Sequence, residues 1–493
     1  MKIKLLYLLI ASLSIFFASC INESFSTDPK DRLIFSSDTV SFDTIFSTIP
    51  SRTAEVIIYN RNSKALNISK ISLSNGKKSV FRFNADGFAA PESNILENIV
   101  IGAKDSIFVM IETTLKENDT TIPIYITDNL VFTVNNTEQS LVLEAYGRDA
   151  NILRGVSITT NTVFTTEKPY LIFDYLHIAA GATLTLNAGT ELFLHKNTDI
   201  VVDGNIIATG TNSQPVTIRG DRFDLAYIDI LYDYLPSQWG GIYIKSPSGE
   251  NLLQNTIIRN GNLGIVVYGS SQINTKLKIE NSVVHNMNTY GVLSQFGDVQ
   301  IVNSEISNCG FSCIAQLGGK LKVAQSTIAD YIPNSFIASL RKTPAVFIAN
   351  YTTQDKTLVP CPINSSVIEN SIIFGNCNTE LVLQDTSTIS FNVLISNCLV
   401  KAKKIERPEL QNIIWSYSQN QTSGEVKYDT LFVNTSIDNI KTTGYFNFQL
   451  AVNSRAKDKA NYAVAAQYPL DLLGRNRLFD SKPDLGAYER TGQ

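Results

Sequence analysis

The fold of this chain is decided by a six-residue stretch that reads NSVVHN (281–286) and returns 22 and 44 residues later as NSEISN (303–308) and QSTIAD (325–330). The sequence contains three further copies, NTIIRN (255–260), NSIIFG (370–375) and NVLISN (392–397). An internal repeat of this length indicates a solenoid, in which each repeat packs against its neighbours.

Fixed and variable positions alternate within the repeat. The fourth position is always aliphatic and β-branched: Ile258, Val284, Ile306, Ile328, Ile373 and Ile395. The second position is held by the small residues Thr256, Ser282, Ser304, Ser326, Ser371 and Val393. The third position varies freely and includes Glu305, which we therefore expect on the solvent face. This alternation is typical of a strand with one buried face.

Two more apolar pieces accompany each copy of the repeat. One precedes it, as in LKIE (277–280) and VQIV (299–302), and one follows it, as in GIVV (264–267) and GVLS (291–294). Three short strands in a coil of about 22 residues predict a parallel β-helix, since a leucine-rich repeat needs a helix and a Leu/Asn signature. Asparagines at the sixth position, such as Asn286 and Asn308, are expected to stack at a corner and to bond the turn backbone.

The C-terminal segments DLLGRN (471–476) and PDLGAYE (483–489) resemble the closing part of pectate-lyase-like β-helix proteins. The matching residues are Asp471, Gly474, Arg477, Asp484, Gly486, Tyr488 and Glu489. The resemblance covers roughly residues 170–490 and implies a right-handed β-helix over 151–493 with a C-terminal cap. A cap is physically needed because an open end exposes unpaired strands.

Residues 32–150 show a different pattern of short β-branched runs separated by polar turns, which predicts a small β-sandwich. The run 128–150 resembles the end of an immunoglobulin-like (Ig-like) domain. The whole chain is therefore predicted to be all-β.

The N-terminus carries Lys2 and Lys4 before the apolar run 5–17, which is typical of a secretory signal peptide over residues 1–19. Phe17-Ala18-Ser19-Cys20 resembles a bacterial lipobox, and an ordinary signal peptide that happens to contain a cysteine is the alternative. The resemblance implies lipidation at Cys20 and anchoring in the outer membrane, and the polar segment 20–31 is expected to form a tether. Which membrane face the protein occupies, periplasmic or external, is left open.

The formal net charge of −4 argues against a nucleic-acid partner, and we expect a monomer. The three histidines are widely spread, so no metal or other cofactor is expected. His285 is expected to be solvated, and neither His177 nor His195 has a nearby nucleophile in sequence. The sequence leaves the disulfide state of five cysteines open: Cys309, Cys313, Cys361, Cys377 and Cys398.

The insertion 220–241 breaks the coil period and supplies the candidate binding residues. Carboxylates that bond sugar hydroxyls, beside aromatic rings that stack on sugars, predict a glycan site. Its candidate residues are Asp224, Asp233, Tyr232, Tyr234 and Trp239, although Trp239 could instead pack the start of a coil.

No catalytic residue is predicted. Polygalacturonases of this fold use a GHG turn and an RIK motif, and pectate lyases use an aspartate ladder for calcium, none of which the sequence contains. The predicted function is a lipid-anchored envelope scaffold that binds a glycan or another envelope component. The alternative is a polysaccharide lyase or glycoside hydrolase acting in the lateral groove.

Overall fold

The computed structural model describes residues 24–118, 122–227, 230–246, 249–270, 275–337, 341–416, 431–436 and 446–490. The signal peptide and Cys20 therefore lie outside the described residues. The contacts divide the chain into two units at Asp149 and Ala150. Within the described ranges, no helix combines the length and the apolar character that crossing a membrane requires.

The first unit consists of two five-stranded sheets. One sheet has the order β1 (Ile34–Phe35), β3 (Ala54–Tyr59), β8 (Ser106–Thr113), β5 (Phe81–Ala85) and β6 (Phe88–Ala89). The other has the order β2 (Thr39–Phe46), β10 (Thr137–Arg148), β9 (Ile124–Val134), β4 (Leu66–Leu73) and β7 (Ile95–Ile101). Alternate residues of both sheets, such as Val109 and Leu143, form one core. Two packed sheets are thus observed in the predicted sandwich segment, and the Ig-like assignment stays a prediction.

The described part of the predicted tether does not stand free of this unit. The Ser26 amide donates to the Ala65 carbonyl at 2.9 Å, and the Ser26 side chain is buried. Phe25 forms a parallel bridge with Ala65. Backbone hydrogen bonds therefore hold Phe25 and Ser26 against the first unit.

The second unit is a right-handed parallel β-helix, and most coils contribute one strand to each of three series. Series A comprises β12 (Thr162–Phe164), β14 (Thr183–Asn187), β17 (Asn205–Thr209), β22 (Glu250–Gln254), β25 (Lys276–Glu280), β28 (Asp298–Val302), β31 (Gly319–Ala324), β36 (Ile363–Glu369), β39 (Phe391–Ser396) and β41 (Leu410–Gln411). Series B begins with the first halves of β11 (Asn151–Ile158) and β13 (Tyr170–Ile178) and continues with β15 (Glu191–Leu194), β18 (Val216–Gly220), β23 (Thr256–Arg259), β26 (Val283–Met287), β29 (Glu305–Cys309), β32 (Thr327–Asp330), β37 (Ile372–Gly375), β40 (Leu399–Lys401) and β42 (Ile414–Ser416). Series C begins with the second halves of β11 and β13 and continues with β16 (Asp199–Val202), β21 (Ile242–Ile244), β24 (Ile265–Tyr268), β27 (Val292–Gln295), β30 (Ile314–Leu317), β33 (Val346–Ala349) and β38 (Leu381–Gln384).

Short hairpins and helices decorate the coils. The hairpins are β19 (Leu225–Tyr227) with β20 (Ile230–Leu231), β34 (Tyr351–Gln354) with β35 (Thr357–Pro360), and β43 (Phe432–Asn434) with β44 (Asn447–Leu450). The helices of this unit are α1 (Tyr462–Ala465) and the 3-10 turns Tyr232–Tyr234 and Asn334–Phe336, and another 3-10 turn, Gly76–Lys78, lies in the first unit.

The buried fourth position is confirmed for the first five copies of the repeat, from Ile258 to Ile373, all of which lie in the helix core. The sixth copy was aligned wrongly, because Ile395 lies in series A and pairs with Ile368. The true copy is NCLVKA (397–402), in which Val400 pairs with Ile373. Series A and series B share the same alternation, so a buried β-branched residue does not distinguish them.

Hydrogen bonds along the axis explain why the second position is small. The Ser304 Oγ accepts from the Ser282 amide at 3.1 Å, and the Ser326 Oγ accepts from the Ser304 amide at 3.2 Å. A larger side chain would remove this ladder of buried bonds, which also includes Ser371. The residue directly before the second position forms the corner and has a positive φ angle, a left-handed conformation that asparagine tolerates. This holds for Asn255, Asn281, Asn303, Gln325, Asn370, Asn397 and Asn412.

The prediction that Glu305 faces solvent is wrong. Its residue is 7% exposed, because the segment 471–490 folds back along series B. Tyr488 bonds one carboxyl oxygen of Glu305, and the Ser307 hydroxyl donates to the other at 2.7 Å. The Ala487 amide also donates to the Thr327 hydroxyl at 2.9 Å. The segment predicted to close the stack thus covers part of its lateral face.

Candidate functional site

Asp224 of the insertion is occupied by an ion pair. The Nε and Nη2 atoms of Arg222 donate to its two carboxyl oxygens at 2.6 and 2.5 Å. Only 10% of the Asp224 side chain is exposed. The same guanidinium lies 3.9 Å from the centre of the Tyr232 ring, which covers that aromatic face. Two of the five predicted glycan-binding residues are therefore engaged with Arg222 rather than open to a ligand.

Asp233 lies between two arginines. Its Oδ1 is 3.2 Å from Nη2 of Arg219 and 3.2 Å from Nε of Arg259. Burial lowers the pKa of Arg219 to about 10, although the carboxylate of Asp233 opposes this effect. The backbone carbonyl of Asp233 also accepts from the Asn260 side chain at 2.7 Å. These contacts fasten the insertion to the coils, so Asp233 has a structural role.

Trp239 is not available to stack on a sugar. It is 1% exposed and belongs to the core of the β-helix. Its indole nitrogen donates to the Arg259 carbonyl at 2.8 Å, which satisfies the one polar group of the ring. The alternative that Trp239 packs the start of a coil is the one that the structure supports. Among the predicted aromatics, Tyr234 remains partly exposed.

A groove on the outside of series C, which the sequence reasoning missed, is the better candidate site. It encloses about 620 Å³ and is lined by Asp199, Val201, Tyr243, Lys245, Tyr268 and Gly269. A neighbouring space of about 370 Å³ shares Asp199 and Tyr243 and adds Asn197, Ser237 and Asn262 to the lining. The two spaces form one continuous strip of aromatic and polar side chains.

The strand alternation places these side chains outside the core. Ile242 and Ile244 point inward and are fully buried, so Tyr243 between them points outward. Tyr243 pairs with Val201 on one side and with Val266 on the other. Tyr268 ends the next strand and is exposed. The sequence indicates this outward orientation in IYIK (242–245), where Tyr243 and Lys245 alternate with isoleucine.

Asp199 supplies the carboxyl group of the groove. Gly240 allows its close approach to the backbone, since a Cβ there would lie 1.7 Å from Oδ1 of Asp199. Burial raises the pKa of the Asp199 carboxyl, and a hydrogen bond from the Gly241 amide partly offsets this. Burial also raises the pKa of Tyr243, with a further contribution from the Asp199 charge. The groove therefore offers a half-buried carboxyl group beside an aromatic face.

The structure also shows the environment of His285, the state of the cysteines and the grouping of possible metal ligands. His285 is only partly exposed rather than solvated, and burial beside Arg259 lowers its pKa to about 3. All five described cysteines are free thiols. Among the described residues, no group of three or more His, Cys, Asp or Glu side chains is placed to hold a metal ion.

Comparisons with known proteins agree with the fold. The family model for a right-handed β-helix region matches residues 99–328, a range that starts inside the first unit. No curated protein sequence matches this chain.

Solved structures with detectable similarity are remote. One is a family 123 glycoside hydrolase from Clostridium perfringens, at 10% identity and a TM-score of 0.16, covering 24% of this chain and 26% of that one. Another is the A-module of the mannuronan C-5 epimerase AlgE6 from Azotobacter vinelandii, at 12% identity and a TM-score of 0.27, covering 55% and 81%. The catalytic domain of a GH87 alpha-1,3-glucanase matches at 10% identity and a TM-score of 0.19, covering 74% and 88%. The chain spans about a quarter of the length of the family 123 glycoside hydrolase.

Proposed function

We propose that this protein is a lipid-anchored envelope protein whose β-helix holds a glycan in the groove of series C. The observation that carries the proposal is the pairing of two outward tyrosines, Tyr243 and Tyr268, with the half-buried carboxyl of Asp199 in one groove. Aromatic faces pack on the apolar faces of sugar rings, and a carboxylate accepts bonds from their hydroxyls. A concave site with a few polar groups is the usual form of a ligand site.

The strands that line the groove favour the binding of a glycan to preformed side chains. Each lining strand is paired on both sides, as β21 is with β16 and β24, so the side chains project from a rigid sheet. Rigid placement lowers the entropy lost on binding. In the insertion, by contrast, arginines already neutralise Asp224 and Asp233. We therefore propose that the glycan binds in the groove of series C. The insertion then has the role of supporting the edge of that groove.

The experiment is a glycan array with the full chain, followed by titration of the best ligand. Tyr243→Ala should weaken binding by about 1–3 kcal/mol, as expected for a lost stacking partner. Tyr234→Ala, a tyrosine of the insertion, is the matched control and should bind like the wild type. Loss of binding in the control with full binding in Tyr243→Ala would contradict the assignment to the groove.

One observation favours the alternative of a polysaccharide-cleaving enzyme. Burial raises the pKa of Asp199, as a general acid requires. Hydrolysis would also need a second carboxylate across the scissile bond. Analysis of products after incubation with the array ligands tests this alternative. New reducing or unsaturated ends, absent with Asp199→Asn, would establish an enzyme and overturn pure binding.

Anchoring through Cys20 has its own test, because the residue lies outside the described residues. Cys20→Ala should remove labelling of the protein by radioactive palmitate, since a thioether-linked lipid needs the thiol. Unchanged labelling of the variant would refute the lipobox interpretation.

A further inference from the structure

Three side chains form a line on the outside of series C in the first coils. The Ser157 hydroxyl lies 3.3 Å from Nδ1 of His177, and Nε2 of His177 lies 2.9 Å from Oδ2 of Asp203. The residues are far apart in sequence and meet because Ser157 and His177 are paired partners on adjacent strands. His177 has no nucleophile close to it in sequence, but the fold brings the Ser157 hydroxyl to it from the adjacent coil.

The backbone aims these side chains outward. Gly155 and Asp174 have positive φ angles of 57° and 65°, and they turn the chain between the two halves of β11 and β13. After the turn, Ile158 and Ile178 enter the core. Ser157 and His177 immediately precede them, so both point to the surface and can meet a ligand.

We propose that Ser157, His177 and Asp203 form a second site, which hydrolyses carboxylic esters by transferring their acyl groups to water. A neutral imidazole that donates from Nε2 to Asp203 has a free lone pair on Nδ1, which accepts the Ser157 proton. This is the arrangement of a nucleophile, a base and an orienting carboxylate. In the usual triad Nε2 faces the serine and Nδ1 faces the carboxylate, whereas here Nδ1 faces Ser157 and Nε2 faces Asp203. Either ring nitrogen can serve as the base.

The reaction balances without another reagent besides water. The Ser157 Oγ attacks the ester carbonyl while His177 takes its proton. The C–O bond to the alcohol then breaks, and His177 returns the proton to the leaving alkoxide. Water attacks the acyl-serine in the same way, its proton passes through His177 back to Ser157, and a carboxylic acid leaves.

The position of the line suggests the substrate class. His177 pairs with Val201, which lines the groove, and Val201 pairs with Tyr243. Neighbouring parallel strands are about 4.8 Å apart, so His177 lies about 10 Å from the Tyr243 strand along the axis. An O-acyl group on a sugar held in the groove is the substrate that this spacing fits. This choice of substrate rests on the proposed glycan groove, whereas the reactivity of Ser157 does not.

The exposure of His177 and Asp203 to solvent limits the rate of ester hydrolysis that we expect. The His177 and Asp203 side chains are 31% and 41% exposed, so water weakens the field of the carboxylate. We expect slow turnover and therefore choose covalent labelling as the main readout. A fluorophosphonate reagent reacts with activated serines and carries no sugar, so its result is independent of glycan binding.

The full chain should be incubated with the fluorophosphonate at pH 8, digested and analysed by mass spectrometry. The adduct is expected on the peptide containing Ser157, and His177→Ala or Asp203→Asn should reduce its rate at least tenfold. His195→Ala is the control, because His195 makes a similar bond to Asp221 at 2.7 Å but packs on the Phe173 ring. That variant should label like the wild type.

Hydrolysis of p-nitrophenyl acetate gives a second readout with the same variants, and Ser157→Ala should abolish the enzyme-dependent rate. The absence of an adduct at Ser157 would overturn the proposal, as would labelling that His177→Ala leaves unchanged. Labelling of Ser157 by the reagent in a protein that fails the glycan array would support this site and refute only the choice of a glycan ester.

Discussion

The burial of Glu305 allows a sharp test of how the C-terminal segment packs. Its carboxyl bonds Tyr488 and Ser307, and burial raises its pKa, which favours the protonated form. Glu305→Lys would break both hydrogen bonds, at roughly 1 kcal/mol each, and would bury an ammonium group without a partner. We expect a loss of about 3–5 kcal/mol in the free energy of unfolding. Glu305→Gln keeps the shape and the bonding capacity and should cost less than about 1 kcal/mol.

Urea denaturation followed by circular dichroism measures both variants. Gln300→Lys introduces the same charge on the exposed face of β28 in the same coil, and it should change stability by less than about 0.5 kcal/mol. Limited proteolysis adds a local readout, since detachment of Tyr488 should release the segment 471–490 before the coils unfold. Equal stability of Glu305→Lys and Gln300→Lys would refute the burial of this face.

Other predictions follow from buried groups. Trp239→Ala should destabilise the protein by about 3–5 kcal/mol in urea, because it opens a large cavity in the core, and a cost below about 1 kcal/mol would contradict its burial. Arg341→Met should cost about 3–5 kcal/mol, because it leaves the fully buried carboxyls of Asp330 and Glu380 without their shared cation, and thermal melting would show the loss. Burial and the charge of Asp484 raise the pKa of Glu489 to about 8, so its contribution to stability is present at low pH and is lost as the pH rises from about 4.5 to about 8. Melting temperatures between pH 4.5 and pH 8 should therefore fall more steeply in the wild type than in Glu489→Gln, and parallel curves would refute this assignment.

The β-helix could be predicted because its determinants are local and repeated. Ile306 is fully buried one coil from Val284, as the period of 22 residues requires. The error at Ile395 has the same origin, since series A and series B obey one alternation and only the coil length separates them. A longer coil between Asn370 and Asn397 was enough to shift the assignment by one strand.

The candidate site was harder to predict because it depends on contacts between distant residues. Glu305 is buried by Tyr488, which is 183 residues away, and no local pattern announces that contact. Asp224 and Asp233 have the right chemistry for a sugar, but their arginine partners are revealed only by the folded insertion. Tyr243 was readable as an outward residue of a strand, yet its role depends on Asp199, which comes from another coil.

The left-handed corner between series A and series B has a consequence for how such a chain can change length. Each corner is formed within its own coil, and the serine beside it bonds its own coil and the adjacent one, as Ser304 does with Val302 and Ser282. Duplication or deletion of one whole coil therefore preserves every corner and every rung of the ladder. The gap between the groove of series C and the docked C-terminal segment can then grow or shrink in steps of about 4.8 Å without a new core. For such a protein, length is a discrete variable that gene duplication can adjust while both ends keep their structure.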